Sequence, residues 1–588
     1  MTDNIGFSFG RDPVIISSTP RRSLWRSWKQ LSRFQRNLMS MVTAIGIVTI
    51  IYYWSVLKLG VEPLVEIEKN GLASEPAPVL SNEEHHPQAD AQIAQPDHPQ
   101  DNENNAVMED WVGQVAPPED PPNRGVEFPP PSTDRQKAVV DAFMHAWNGY
   151  RKFAWGHDHL KPVSGSFKDW FHLGLSITDS LDTIYIMGLK EEFEEAKGWV
   201  RDSLKFNTYH EVNLFEVTIR VLGGLLSAYH LSGDRMFLEK ATDLGERLLP
   251  CFTKSPSGIP YSDINLASQS AHSPKWSPDS STSEVTTLQL EFRDLSRSTH
   301  ESKFEDAAFK VSESVHNLPK TDGLVPIFIN PNTGQFHSYT DIKLGARGDS
   351  YYEYLLKQWI QTGKTIDFLK DDYLEAVEGI KKWLVRRTPK SDLVFIGELK
   401  GGTHDFVPKM DHLVCYLPGT LALGYHNGLP EDHLKLALDL METCYQTYAQ
   451  RPTFLAPERS SFSIQSRRIV IDLDDIYVNS KDAHNLLRPE FIESLWYLYQ
   501  ITGNTTYQDW GWNIFKAFEK YSKVAHGFTS IGNVNNVTDT KPRDIMETFF
   551  LSETIKYLYL LFSNDRKLLD IDRYVINSEG HPLPIRES

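Results

Sequence analysis

The chain has 588 residues, of which 40% are apolar and 23% are charged, so it can bury a large core. At about 150 residues per domain, this length predicts several domains or one large barrel. The net charge of −18 argues against a nucleic-acid partner, which needs basic surface, and three Cys without C-x-x-C spacing exclude a disulfide-stapled small domain.

The first 57 residues resemble a membrane anchor that is preceded by a basic segment. Residues 1–37 carry seven basic and two acidic side chains, and residues 38–57 carry no charge. Twenty residues in a helix reach about 30 Å, the thickness of the hydrocarbon layer. A signal peptide or a core helix is the alternative, but no small-residue cleavage site follows the apolar stretch. We therefore predict a basic cytoplasmic tail at 1–37 and a single transmembrane signal anchor at 38–57, with the remainder luminal.

The next segment differs in composition. Residues 61–130 hold 15 acidic residues, two basic residues and 12 Pro. Such a stretch buries too little apolar surface to offset chain entropy, so we expect a disordered, acidic, Pro-rich luminal stalk over 58–131. A binding tail is the alternative.

Residues 132–588 have mostly helical apolar spacing, in which an apolar helix alternates with a charged amphipathic helix. The apolar helices are predicted at about 168–188, 210–232, 284–299, 349–362, 411–426, 489–502 and 544–562. Their charged partners are predicted at about 134–152, 190–205, 234–250, 302–315, 369–386, 431–450 and 505–523. Seven such pairs either stack as an open solenoid or close into a ring. Their uneven lengths favour the ring.

Acidic residues near the starts of the apolar helices also favour closure, because a ring brings these ends to one mouth. They are Glu216, Glu291, Asp349 with Glu353, Glu490 with Glu493, and Glu553. For any single residue, stabilisation of a helix N-terminus is a sufficient explanation. Several of them together suit glycoside hydrolysis, in which one carboxylic acid protonates the leaving oxygen and one carboxylate activates water or attacks carbon. Clustered oxygen ligands also suit Ca²⁺ better than Zn²⁺.

Four motifs carry a resemblance to a known family: FEVTIR at 215–220, GDSYYEY at 348–354, LRPE at 487–490 and INSE at 576–579. In this order they resemble glycoside hydrolase family 47, the class I α-1,2-mannosidases, over about 134–588. The resemblance implies an all-α, (α/α)7 barrel plugged by a C-terminal β-hairpin, an inverting mechanism and dependence on Ca²⁺.

The resemblance also implies site residues. Glu216 would be the general acid, directly or through a water, Glu490 the base, and Asp349 a third catalytic carboxylate. Residues expected at the sugar or in the water shell of the metal are Arg220, Glu291, Arg347, His412, Arg488, Phe549, Glu553 and Glu579. On its own, His412 would be interpreted as a structural histidine.

The metal ligand implied by the resemblance is Ser578, at a position where family members usually have Thr. Ser supplies the same carbonyl and hydroxyl oxygens, so Ca²⁺ binding should survive, with water-mediated help from Glu493, Glu553 and Glu579. The missing methyl leaves χ1 less restricted, which predicts weaker affinity.

The family pattern further implies a disulfide between Cys415 and Cys444 and a buried free thiol at Cys251, as an oxidising lumen permits. Asn504 and Asn536 begin glycosylation sequons.

Arg347 precedes the Gly-Asp-Ser motif, where endoplasmic-reticulum-type members have Arg and Golgi-type members Leu. We therefore expect a type II enzyme of the reticulum membrane, or of the Golgi, that trims nine-mannose N-glycans to eight-mannose glycans in glycoprotein quality control. A mannosidase-like degradation factor with weak trimming and a helical-repeat scaffold are the alternatives.

Overall fold

A computed structural model describes residues 125–464 and 474–585 of the chain. The predicted cytoplasmic tail, the anchor at 38–57 and the stalk before residue 125 lie outside the described residues. The last part of the predicted stalk, 125–131, packs on the helical domain: the Val126 amide donates to the Leu231 carbonyl at 2.7 Å, and Phe128 meets Tyr185 edge-on.

Most helices of the described chain belong to two sets. The inner set comprises α3 (Leu181–Ile186), α5 (Leu214–Val217) with α6 (Gly223–Ser232), α10 (Gln289–Thr299), α12 (Asp349–Gln361), α14 (Leu417–His426), α16 (Glu490–Thr502) and α18 (Ile555–Leu561). The outer set comprises α1 (Asp134–Phe153), α4 (Lys190–Asp202), α7 (Arg235–Leu248), α11 (Lys303–His316), α13 (Asp367–Gly379), α15 (Glu431–Ala449) and α17 (Thr506–Tyr521). Three short helices lie between them: α2 (Leu175–Thr178), α8 (Pro250–Thr253) and α9 (Thr282–Val285).

The inner helices close into a ring. Going round the ring in chain order, each inner helix contacts the next, and the segment Phe550–Thr554 just before α18 contacts α3. Each outer helix packs on an inner one, and α1 packs on α18. Within the described residues this is a closed barrel of seven helix pairs, and the open solenoid is excluded.

Several predicted helices are interrupted. The stretch predicted as one helix at 168–188 contains only α2 and α3, because Gly174 adopts φ 61° before α2 and Asp179 and Ser180 separate the two helices. Turns of π-helix occupy Thr218–Leu222, Ile380–Leu384 and Phe550–Thr554, and a 3-10 turn occupies His412–Tyr416. π-Helical turns inside α-helices are frequent at functional sites.

Short antiparallel strands connect the helices. They are β1 (His159–Lys161), β2 (Ser166–Lys168), β3 (Glu211–Asn213), β4 (Asp263–Asn265), β5 (Ser270–His272), β6 (Ser280–Ser281), β7 (Phe328–Ile329), β8 (Val385–Arg387), β9 (Val394–Ile396), β10 (Glu398–Leu399), β11 (Phe406–Val407), β12 (Lys409–Asp411), β13 (Arg459–Phe462), β14 (Ile476–Tyr477), β15 (Lys523–Val524), β16 (Gly527–Phe528), β17 (Tyr574–Ile576) and β18 (Pro582–Pro584). They form two- and three-stranded sheets, among them β3-β4-β5 and β12-β13-β14.

The last hairpin enters the barrel. β17 pairs with β18 in the register Val575–Leu583, and these strands contact the inner helices α6, α10 and α12. The loop between them, 577–581, contains the buried side chains of Asn577, Glu579 and His581. The hairpin therefore fills the barrel axis, as the family resemblance implied.

Among the described residues, Leu214–Ser232 is long and apolar enough to cross a membrane, but 72% of its apolar window is buried inside the protein. It is an inner helix of the barrel and says nothing about the anchor predicted at 38–57.

Candidate active site

A cavity of about 300 Å³ opens where the inner helices begin, and acidic side chains dominate its lining. Eight carboxylates line it: Glu216, Glu284, Asp349, Glu353, Glu490, Glu493, Glu553 and Glu579. A larger cavity of about 800 Å³ lies beside 126–128 on the outer surface, where three acidic and three basic residues balance each other. The smaller cavity is the candidate site, because its charge is strongly one-sided.

Glu216 is placed by the turn from β3 into α5. The Asn213 side chain caps this helix by accepting a hydrogen bond from the Glu216 amide at 2.9 Å. The following π-helical turn contains Arg220, whose Nε donates to Glu216 Oε2 at 2.9 Å. The cap and the turn together fix the Glu216 carboxylate at the cavity wall.

Arg220 connects several parts of the site. Its Nη1 contacts Thr548 Oγ1 at 3.1 Å and Asp179 Oδ2 at 3.4 Å, and it also pairs with Glu579. Arg220 is 8% exposed, so this buried residue links the cavity wall to the hairpin loop.

Glu490 begins α16 directly after Pro489 and is held by two cationic or donor groups. His412 Nδ1 lies 2.8 Å from Glu490 Oε2, and the other ring nitrogen lies 2.7 Å from the Tyr448 hydroxyl. Arg488 Nη1 lies 3.5 Å from Glu490 Oε1. Burial raises the pKa of Glu490, but the hydrogen bond from His412 and the charge of Arg488 outweigh it and hold the pKa below its ordinary value. Glu490 is therefore ionised at neutral pH.

Arg488 is oriented by a residue that the sequence did not single out. Its Nε lies 2.8 Å from both carboxylate oxygens of Glu458. Such charge-assisted pairing fixes the guanidinium plane beside Glu490. Phe549 lies between the two guanidinium groups, at 5.9 Å from Arg220 and 5.7 Å from Arg488.

Asp349 begins α12 and has the opposite electrostatic environment. Desolvation raises its pKa to about 7, since the hydrogen bonds from the Ser350 amide and the Ser283 hydroxyl offset only part of the effect and the charge of Glu353 adds to it. The pKa values of Asp349 and Glu490 are therefore shifted in opposite directions within one cavity.

The floor of the cavity is formed by four further carboxylates that have few cations beside them. They are Glu353, Glu493, Glu553 and Glu579. Lys357, fully buried, pairs with Glu353 at 2.5 Å and Glu493 at 3.4 Å. Burial, and then the charge of Glu353, raise the pKa of Glu493 to about 8. Burial and the neighbouring acids Glu579 and Glu493 raise the pKa of Glu553 well above its ordinary value.

This floor fits a hard cation. Ser578 lies there, at the tip of the hairpin, and its amide donates to the Tyr354 hydroxyl at 3.2 Å. Gly580, with φ 79°, allows Glu553 to approach, because a Cβ there would lie 3.0 Å from Glu553 Cγ. An excess of buried carboxylates and a set of oxygen donors are the chemistry that Ca²⁺ prefers. Over the described part of the chain, no three His, Cys, Asp or Glu side chains converge as a direct metal-binding group.

Arg347 lies at the cavity wall in an unusual conformation for a residue with a side chain, with φ 77°. Its guanidinium stacks 4.6 Å from the Trp276 ring and 5.3 Å from Phe328, and Nη1 lies 3.4 Å from Glu284 Oε1. Trp276 is 62% exposed, so Arg347 and Trp276 form an exposed stacked pair at the mouth, here called the ridge.

Most of the residues singled out from the sequence lie together here. The cavity is lined by Glu216, Arg220, Arg347, Asp349, Arg488, Glu490, Glu493, Phe549, Glu553, Ser578 and Glu579. His412 and Glu291 are behind the lining. His412 supports Glu490, and Glu291 is fully buried, where it accepts hydrogen bonds from Tyr354 at 2.8 Å and Asn577 at 2.7 Å.

Sequence reasoning missed Glu284, Glu458, Trp276 and Asp179. The apolar spacing places Glu284 at the start of a helix over 284–299, but Glu284 belongs to the separate short helix α9. A signal for it existed in the sequence: SSTSEV at 280–285 has the Ser/Thr-rich composition of a helix cap.

The cysteine predictions are confirmed. Cys415 and Cys444 form a disulfide between the segment before α14 and α15, and Cys251 is a buried free thiol. Asn504 is exposed and Asn536 is half-buried, and their glycosylation stays a prediction.

Comparison with known proteins gives the class. The family model described as Glycosyl hydrolase family 47 matches residues 142–585. The endoplasmic reticulum mannosyl-oligosaccharide 1,2-alpha-mannosidase of Rattus norvegicus is 47% identical over 99% of this chain and 97% of its own length. The protein of the same description from Homo sapiens is 46% identical over 99% of this chain and 92% of its own length.

A solved structure agrees. The alpha-1,2-mannosidase from Trichoderma reesei superposes with a TM-score of 0.72 at 27% identity, covering 78% of this chain and all of that one. The chain therefore belongs to glycosyl hydrolase family 47. It is a glycosidase with the helical barrel of that family, and its most similar relatives include mannosidases that are named for the endoplasmic reticulum.

Proposed function

We propose that the chain is an inverting, Ca²⁺-dependent exo-α-1,2-mannosidase that trims terminal mannose from high-mannose N-glycans, converting nine-mannose to eight-mannose glycans. The observation that carries this proposal is that one cavity holds Glu490, whose pKa is kept below its ordinary value, and Asp349, whose pKa is raised to about 7. Hydrolysis of a glycosidic bond needs one protonated and one ionised carboxyl group.

Glu490 acts as the general base that takes a proton from the attacking water. Its depressed pKa keeps it ionised, and His412 and Arg488 hold both of its oxygens in place. A base oriented from both sides suits in-line attack on the sugar carbon.

Glu216 and Asp349 share the acid side of the reaction. Glu216 matches the family's general acid by its motif and forms an ion pair with Arg220. Burial raises the pKa of Asp349 to about 7, which suits it to supply a proton. We propose that the proton reaches the leaving oxygen from Asp349 or Glu216 across the cavity that both line, directly or through water.

Ser578 would hold Ca²⁺ through its carbonyl and hydroxyl, and Glu493, Glu553 and Glu579 would hold the surrounding waters. When bound, the ion supplies a site that orients mannose hydroxyls and offsets the like charges on the floor. Because the carboxylates come from α16, the Phe550–Thr554 turn and the hairpin loop, the hairpin must be seated before the site is complete.

The ridge of Arg347 and Trp276 restricts the branch that enters. Its stacked geometry and the contact with Glu284 leave the guanidinium little freedom. A fixed, flat, donor-rich surface beside the cavity suits contact with branch sugars.

For the cellular setting, we propose a type II protein with a cytoplasmic tail at 1–37, an anchor at 38–57 and a luminal catalytic domain. The names of the relatives support the endoplasmic reticulum, where such an enzyme would act in glycoprotein quality control. The disulfide supports an oxidising compartment.

The test uses the purified chain and nine-mannose glycan, with Ca²⁺ or with a chelator, and chromatography of the products. We expect an eight-mannose product with Ca²⁺ and little with the chelator. Unchanged glycan in the presence of Ca²⁺ would refute the proposed activity, and equal trimming in both would refute the Ca²⁺ dependence.

A further inference from the structure

Beneath the active site lies a second group of charges, which is linked to the cavity lining through Arg220 and Glu579. It consists of Asp179, Asp182, Lys556 and His581, each of which is at most 1% exposed. Buried charges on this scale are costly unless each is paired, so their arrangement needs an explanation.

His581 is the centre of this group. Its Nε2 lies 3.2 Å from Asp179 Oδ1 and its Nδ1 lies 2.8 Å from Asp182 Oδ2. Ionised carboxylates only accept hydrogen bonds, so the geometry requires both ring nitrogens to donate. Lys556 Nζ lies 2.9 Å from Asp182 Oδ1, which gives two cations for two anions.

The barrel wall is shaped to receive this histidine. A Cβ on Gly223 would lie 2.6 Å from Asn577 Nδ2 and 3.0 Å from His581 Cδ2. Gly costs about 1 kcal/mol relative to Ala inside a helix, and here it starts α6, in the middle of a continuous inner helix. The absent side chain therefore makes room for the hairpin loop.

Two routes lead from His581 to the catalytic groups. Upward, Asp179 uses its other oxygen to contact Arg220 Nη1 at 3.4 Å, and Arg220 holds Glu216. Along the hairpin, Lys556 Nζ donates to the Gly580 carbonyl at 2.6 Å, one residue from Glu579.

We infer that His581 is a positioning residue: its two-sided ion pair with Asp179 and Asp182 seats the hairpin loop so that Ser578 and Glu579 face the cavity and Arg220 faces Glu216. It acts through these groups and does not touch substrate. The expected effect on kcat rests on the proposed function. The expected effect on Ca²⁺ affinity is measured without substrate and rests on Ca²⁺ binding alone.

The test compares His581→Gln with His433→Gln. Glutamine has one amide donor group and cannot span two carboxylates as a doubly donating ring does. His433, 1% exposed on the outer helix α15, is the matched buried control. For His581→Gln we expect kcat to fall about 10- to 100-fold, as for other groups that orient site residues, and the Ca²⁺ concentration that gives half-maximal thermal stabilisation to rise similarly. KM should stay within about threefold of wild type, because substrate contacts remain.

His433→Gln should lower the melting temperature and leave kcat and Ca²⁺ affinity unchanged. If His581→Gln behaves in the same way as this control, the inference is wrong. If His581→Gln does not fold, Asp182→Asn is measured instead: it keeps the size of the side chain and removes its charge, and wild-type kcat and Ca²⁺ affinity in that variant would overturn the inference. A wild-type protein that binds Ca²⁺ but trims no glycan would refute the proposed function, while the Ca²⁺ titration would still test His581.

Discussion

Replacing His412 tests what lowers the pKa of the proposed base, Glu490. His412→Phe keeps a ring in the same volume but removes the donor that lies 2.8 Å from Glu490 Oε2. A hydrogen bond to a charged group contributes about 1.5–3 kcal/mol, and about 1.4 kcal/mol corresponds to one pKa unit. We therefore expect the pKa of Glu490 to rise by about 1–2 units.

The assay is the pH dependence of kcat/KM for trimming of nine-mannose glycan between pH 4 and pH 8. Activity requires ionised Glu490, so it is present above the pKa of this group and lost as the pH falls through it. In His412→Phe the acidic limb should therefore shift by about 1–2 pH units toward neutral pH.

Tyr448→Phe is the matched control. It removes the hydroxyl that lies 2.7 Å from His412 Nε2 but keeps the donor to Glu490, so its acidic limb should move less than half as far. If the acidic limb of His412→Phe coincides with that of wild type, the assignment of Glu490 as the ionised base is contradicted.

Three further changes test other parts of the site. Asp349→Asn should lower kcat about 100-fold or more, and the residual activity should lose the alkaline limb near pH 7 that deprotonation of Asp349 produces in wild type; an unchanged limb in pH profiles contradicts this. Ser578→Thr should bind Ca²⁺ more tightly in a calorimetric titration because the added methyl restricts χ1. Equal affinities of the variant and the wild type would contradict that prediction. Arg347→Leu removes the contacts with Trp276 and Glu284 and should allow trimming beyond eight mannoses, visible as smaller glycans by chromatography; an unchanged eight-mannose end point would speak against the ridge as the selector.

The helix pairs could be predicted because their apolar spacing is local. The helix at 349–362 is confirmed within a residue as Asp349–Gln361, and that at 489–502 as Glu490–Thr502. The helix at 168–188 is broken because Gly174 takes a left-handed conformation that apolar spacing does not report.

The sequence predicted where the acidic cavity lies but not the pKa values of the groups in it. Acidic residues at the starts of the inner helices indicated one mouth, and Glu216, Asp349 and Glu490 do line one cavity. The lowered pKa of Glu490 depends on a neighbour that is distant in sequence, since His412 lies 78 residues away. Likewise, His581 lies 402 residues from its partner Asp179. Spacing along the chain carries no information on such contacts.

The central claim is that Glu490 is the base of a mannosidase site, and Glu490→Gln tests it most directly. The variant keeps the side-chain volume and removes the carboxylate, and it is compared with wild type on nine-mannose glycan with Ca²⁺ present. The account predicts that the eight-mannose product disappears while Ca²⁺ still raises the melting temperature. Trimming at the wild-type rate by Glu490→Gln would contradict it.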